Sequence, residues 1–234
     1  MVALAILLCF IAYFFAGREK ISEEKTYKIA RERMVAQQIE ARGIEDKRVL
    51  EAMRNIPRHK FVSPELEFCA YEDRPLPIEC GQTISQPYIV ALMTELLELN
   101  KEDKVLEVGT GSGYQAAVLS KIVSKVYTIE IFEELGTSAK KRLKDLGYTN
   151  VEVKVEDGYY GWPEEAPFDA IIVTCASDHI PPPLIEQLKD GGRMCIPVGN
   201  VFQVQNLMLV KKKGNKISVK NILPVRFVPM LGEH

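Results

Sequence analysis

Histidine and patterned cysteine are what this chain has least of. His59, His179 and His234 are its only histidines, and Cys9, Cys69, Cys80, Cys175 and Cys195 show neither CxxC nor Cys/His ligand spacing. That argues against a structural zinc site or a disulfide framework, and no metal is assigned. The cysteines read instead as small buried apolar residues in a reducing compartment. Surplus charge is missing too. Thirty Lys and Arg against thirty-two Asp and Glu leave a net charge of −2, with no general attraction to nucleic acid. Internal repeats and low-complexity tracts are absent as well.

Long apolar runs are absent with one exception. Val2 to Ala16 is unbroken, but as a helix it would span roughly 22 Å at about 1.5 Å per residue, short of the roughly 30 Å hydrocarbon core. No Lys or Arg precedes it, and Phe14 and Phe15 stand where a cleavage site would need small residues, which disfavours a cleaved signal. Arg18, Lys20, Lys25, Lys28, Arg31 and Arg33 follow it and would hold an inserted run with its C-terminal flank in the cytoplasm. Two readings stay open. Residues 2–16 tether a cytoplasmic domain to the inner face of the membrane, or translation starts at Met34 and the leader is never made.

The remainder is an ordinary globular composition, 47% apolar and 26% charged. Residues 1–17 form the leader and 18–234 one domain, with helices and loops over 18–100 and a sheet over 101–234. A helix is expected from about Glu23 to Ala41, with Tyr27, Ala30, Met34 and Ile39 on one face. Asp46 caps a second helix that stops before Pro57. Arg58 to Gln86 reads as loops with short helical pieces, and Pro87 opens a helix to about Leu99. Apolar strands then alternate with helices: 104–108, 126–130, 151–155, 169–174 and 193–197, closed by a hairpin over 203–211 and 216–223. This is an α/β pattern, a doubly wound, mostly parallel sheet with helices on both faces.

Chemistry concentrates at strand ends. Gly109, Gly111 and Gly113 mark the turn between the first of these strands and its helix, where a doubly wound sheet binds nucleotide-like ligands. The dinucleotide fingerprint needs glycine at 114, and Tyr114 stands there. The pattern is GxGxG, the form associated with S-adenosylmethionine. Glu130, ending the next strand, is placed to accept hydrogen bonds from both ribose hydroxyls. Asp157 and Gly158, after the third, are placed at the adenine.

Several segments together resemble the protein-L-isoaspartate O-methyltransferase family over about Met34 to Met230. They are Arg42-Gly43-Ile44, Pro57 to Val62, Gly81 to Pro87, Glu107 to Tyr114, Asp157 to Trp162, Ala166 to Thr174, Gln187 to Arg193 and Val225 to Pro229. The glycine turn is common to many methyltransferases; Thr83-Ile84-Ser85-Gln86-Pro87 and Val225-Arg226-Phe227-Val228-Pro229 are far more specific. The resemblance implies a class I, Rossmann-like fold with a modified strand order at its C-terminal edge. It implies methyl transfer from S-adenosyl-L-methionine to the free α-carboxylate of L-isoaspartyl residues, whose ester collapses to a succinimide that hydrolyses partly to normal aspartate. It places the active-site serine at Ser85 and cofactor contacts at Thr83, Ile84, Thr110, Glu130, Asp157 and Gly158, beside Gly109, Gly111 and Gly113. The expected partners are proteins or peptides bearing isoaspartyl residues, with no nucleic acid, and the chain is expected to be a cytoplasmic monomer, with membrane contact only through the apolar run. Glu156 and Cys175 depart from the usual family residues, Gly and Ala.

A carboxylate acceptor has an ordinary pKa near 4 and is a nucleophile without a general base. Ser85 is therefore expected to orient it rather than attack. Arg226 is a weaker candidate for the same task. His59 and His179 read as structural, and Trp162 as packing. The rivals are a methyltransferase of the same fold with another acceptor and a tethered binding protein without turnover.

Overall fold

The computed structural model describes residues 24–200 and 202–233. The reading of the apolar run at 2–16 falls outside them. Among the described residues no helix is long and apolar enough to cross a membrane.

The first helix, α1 (24–34), does not continue as one α-helix to Ala41. Residues Val35–Ile39 form a π turn and Glu40–Arg42 a 3₁₀ turn, ending at Gly43 with φ 92°. The reason is packing. Met34 and Ile39 are both fully buried, yet five residues of α-helix would set them about 140° apart. The wider π turn brings both inward. Asp46 caps α2 (Lys47–Asn55) as expected, its side chain accepting the Arg48 amide at 2.8 Å. Irregular chain follows, holding a two-residue bridge of β1 (Leu76–Pro77) with β2 (Thr83–Ile84). Pro87 then opens α3 (Pro87–Leu96).

Seven further strands form the main sheet: β3 (Lys104–Val108), β4 (Lys125–Glu130), β5 (Val151–Val155), β6 (Phe168–Val173), β7 (Leu188–Val198), β8 (Gln205–Lys213) and β9 (Lys216–Val225), in spatial order 5-4-3-6-7-8-9. Strands β3 to β7 pair in parallel; β8 and β9 return antiparallel. From β6 onward the strands follow chain order. The helices α4 (Tyr114–Ser120), α5 (Glu133–Asp145) and α6 (Pro182–Gln187) connect the parallel strands. Alternation along β3 sends Val105 to the face covered by the N-terminal helices and Leu106 to the face under Phe168 and Leu184. Both faces are thus buried at the centre of the sheet, which is why Ala170 to Val173 of β6 reads as a continuous apolar run. After β3 the chain winds towards β5; from β6 it winds the other way. The direction reverses between β3 and β6, and ligands of open α/β sheets bind at such a point.

Candidate active site

The glycine turn lies at that reversal. Gly109 has φ 97°, a conformation that side chains disfavour, and a Cβ there would stand 2.5 Å from Thr174 Oγ1. Thr174 follows β6 and its hydroxyl donates to the Gly109 carbonyl at 2.6 Å, so strand ends β3 and β6 are stitched together across the reversal. Gly113, at φ 86°, begins α4 and packs against Leu143, where a Cβ would come within 3.2 Å.

Glu130 ends β4 and is buried. Its Oε2 accepts the Gly111 amide at 2.8 Å and its Oε1 the Phe132 amide at 3.1 Å. Two backbone donors fix the carboxylate, and each oxygen keeps a further lone pair for a ligand hydroxyl. The Thr110 hydroxyl pairs with that of Thr128 at 2.7 Å, which ties the turn to the middle of β4.

Thr83, Ile84, Ser85, Gly109, Thr110, Gly111, Glu130 and Gly158 all line one cleft of about 750 Å³. Gly113 and Asp157 stand outside its wall. Asp157 caps the short turn Gly158–Tyr160, accepting the Tyr159 amide at 2.9 Å, so its observed work is to hold Gly158 in place. A Cβ on Gly158 would lie 2.5 Å from Val108 Cγ1, which packs β5's loop tightly on β3.

Ser85 sits between the β1–β2 bridge and the first turn of α3. Its hydroxyl has no hydrogen-bond partner among the described residues, so it does not serve to stabilise the turn before Gln86-Pro87. A second cavity of about 1070 Å³ lies on its other side, lined by Arg42, Tyr88, Val204, Leu223, Arg226 and Phe227 among others. The two cavities share Thr83 and Ser85. Ser85 is the polar gate between them.

Two parts of the cleft went unpredicted. Glu107 lines it, is fully buried on β3, and neither carboxylate oxygen has a hydrogen bond of good geometry. Burial raises its pKa to about 8, opposed by the Thr128 side chain and reinforced by Glu130. A carboxylate interrupting the apolar run Leu106-Glu107-Val108 was the available sign. The other part is the C-terminal segment Val228 to Leu231. It is pinned by backbone hydrogen bonds from Ala176 N to Val228 O at 2.8 Å and from Met230 N to Ala176 O at 2.7 Å.

The remaining candidates stand apart. His59 is buried, stacked on Tyr27 at 3.9 Å with Nδ1 2.7 Å from the Tyr71 hydroxyl, and burial lowers its pKa to about 4. His179 is half exposed and bonded to the Tyr159 hydroxyl at 3.0 Å; neither histidine lines the cleft. Trp162 packs edge-on against Tyr127. Cys69, Cys175 and Cys195 are buried, Cys80 partly so, and Cys175 lines the cleft with burial pushing its thiol pKa up. Glu156 forms an ion pair with Lys154 at 2.7 Å and does not line the cleft.

Several known proteins that this chain resembles along most of its length carry one description. The chain is 60% identical over 210 residues to protein-L-isoaspartate O-methyltransferase 2 of Shewanella sediminis, covering 90% of this chain and 86% of that one. A solved protein-L-isoaspartate O-methyltransferase superposes with a TM-score of 0.79 at 35% identity, over 86% of this chain and 66% of that one. A Plasmodium falciparum protein of the same description, solved in complex with S-adenosyl-L-homocysteine, gives a TM-score of 0.74 at 25% identity, covering 86% and 98%. A sequence profile of the protein-L-isoaspartate(D-aspartate) O-methyltransferases matches residues 29–234, nearly everything after the leader. By fold, by glycine turn and by this match along its length, the chain belongs to the protein-L-isoaspartate(D-aspartate) O-methyltransferase family.

Proposed function

We propose that this enzyme transfers a methyl group from S-adenosyl-L-methionine to the free α-carboxylate of L-isoaspartyl residues in damaged proteins, the ester then closing to a succinimide. The observation that carries the reading is the unpartnered Ser85 hydroxyl on the wall shared by two cavities of opposite character.

The cofactor fits the first cavity on three counts. Glu130 offers a prealigned carboxylate for a ribose diol. Glu107 is a buried carboxyl whose oxygens make no hydrogen bond of good geometry, suited to a ligand bearing positive charge. Gly109 and Gly158 are packed tightly on Thr174 and Val108, which fixes the strand-end backbone that walls the cleft. Thr83, Ile84 and Thr110 complete the wall, and Asp157 supports the adenine end through Gly158. When bound, S-adenosylmethionine supplies an electrophilic methyl group on a positively charged sulfur.

The acceptor enters from the second cavity. Its carboxylate is ionised at neutral pH, so no residue has to remove a proton. Ser85 donates a hydrogen bond to one carboxylate oxygen and leaves the other free to attack. A new C–O bond forms as the C–S bond breaks, with its electron pair left on sulfur. Positioning of this kind supplies much of the rate, and displacement of water by the two bound partners bares the anion.

The deciding assay uses labelled S-adenosylmethionine and two peptides that differ only in isoaspartate against aspartate. Base-labile label is expected in the isoaspartyl peptide alone. Equal labelling of both, or of neither while the cofactor binds, removes this acceptor. The leader carries a separate part of the reading, a tether at the inner face of the membrane. The full chain should then sediment with membranes while a chain starting at Met34 stays in the supernatant; identical partitioning would discard the tether.

A further inference from the structure

The second cavity has a charge pattern that methyl transfer alone does not call for. Its wall contains two guanidinium groups, Arg42 and Arg226, and no Asp or Glu. The two are not equivalent. Arg42 is bonded to Asp73 at 2.8 Å and lies 3.4 Å over the Tyr88 ring, so its charge is already answered. Arg226 is exposed, and it forms no ion pair with any described residue.

Its place is nonetheless fixed. Val225 pairs with Gln205 at the end of β9. Two residues on, Phe227 N donates to the buried Gln205 Oε1 at 2.9 Å, and Pro229 bridges to Ala176. Backbone on both sides of Arg226 is thus held by the sheet. The side chain is a cation mounted on a rigid edge and left without a counter-charge beside the methyl-transfer gate.

That cation is set back from the reacting group. Arg226 lines the second cavity and not the cofactor cleft, whereas Ser85 lines both. A direct ion pair between Arg226 and the attacking carboxylate would also stabilise the anion before reaction and slow it. The free cation suits a different negative group on the same acceptor.

Building on the function proposed above, we propose that Arg226 is a specificity residue: it favours isoaspartyl sites flanked by a second negative charge, an acidic side chain or a chain-terminal carboxylate. Long-lived isoaspartyl sites in acidic segments become the preferred substrates, and lysine-flanked sites the poorest. The effect is modest, because an exposed ion pair contributes little, and it acts on KM rather than on kcat.

Three peptides differing only in the two residues around isoaspartate (both Glu, both Gln or both Lys) test this. For the wild-type enzyme KM should rise in that order, with about a threefold step from Glu to Gln, the range of an exposed pair. Added salt should shrink the step. In Arg226→Gln the Glu-to-Gln ratio should fall to about one, and Arg226→Lys should restore part of it. Fluorescence anisotropy of the labelled peptides in the presence of S-adenosylhomocysteine should follow the same order without turnover. Equal KM for all three peptides overturns the inference and leaves the methyltransferase reading standing. A ratio that persists in Arg226→Gln removes Arg226 as its source. Turnover of none of the three would overturn the function itself and the inference with it.

Discussion

The two cavities that meet at Ser85 are electrostatic opposites. One holds Glu107 and Glu130, both buried, beside the glycine turn. The other is wider and opens between Arg42 and Arg226 with Tyr88 and Phe227 beside them. The contrast fits the reaction. A sulfonium and a carboxylate enter with opposite charges, and a thioether and an ester leave with none at the reacting atoms. A site that gathers the cation on one side and the anion on the other draws both partners to the gate. Withdrawal of the two charges from water then favours the step in which they cancel.

Substitutions on either side should break this division unequally. The largest effect is expected from Glu130→Ala. Cofactor affinity should fall on the order of tenfold or more, because hydrogen bonds to a charged group are lost and the Gly111 and Phe132 amides lose their acceptor. Unchanged affinity by calorimetry would detach the ribose from Glu130. Next, Ser85→Ala should lower kcat about tenfold, the cost of one hydrogen bond to a charged group, while cofactor affinity stays nearly the same. Full retained turnover would show that the gate needs no donor.

A third effect, on stability rather than on activity, is a pH dependence that sharpens the acidic half of the comparison. The Glu107 carboxyl keeps its proton up to about pH 8 when folded, against an ordinary value of 4.5. A raised carboxyl pKa stabilises the fold fully below 4.5, and that stability is lost as pH rises through about 8. Thermal melts of the ligand-free protein should therefore decline over that window, and less steeply in Glu107→Gln. S-adenosylmethionine should also release protons on binding at pH 7, because its positive charge favours the ionised carboxylate. Calorimetry in buffers of different ionisation enthalpy would reveal this. An identical release in Glu107→Gln would assign it elsewhere.

Much of the site was legible because its residues are close in sequence to strand ends. Strands 104–108 and 151–155 were read with their observed limits, since each is a short apolar segment between turn-formers. The glycine turn begins one residue after β3, and Glu130 is itself the last residue of β4. What escaped was assembled over long range or by side-chain burial. Nothing local marks Val228 to Leu231 as cofactor-cleft wall; their place depends on Ala176, some fifty residues earlier. The π turn at Val35–Ile39 escaped because a helical pattern does not record one extra residue in a turn. The second cavity was legible only in Arg226, a weaker candidate for orienting the carboxylate, since Arg42 and Arg226 lie far apart in the sequence and meet only in the folded chain.

The C-terminal segment has a practical side. Residues Leu223 to Phe227 wall the second cavity and Val228 to Leu231 wall the cleft at the glycine turn, while the Tyr160 hydroxyl reaches the carbonyl of Glu233 at 3.4 Å. One strap of chain is common masonry to two rooms. A purification tag fused behind it would load both walls at once, so kinetic constants from such a fusion would describe the tag together with the enzyme. An affinity handle placed ahead of α1 spares them both.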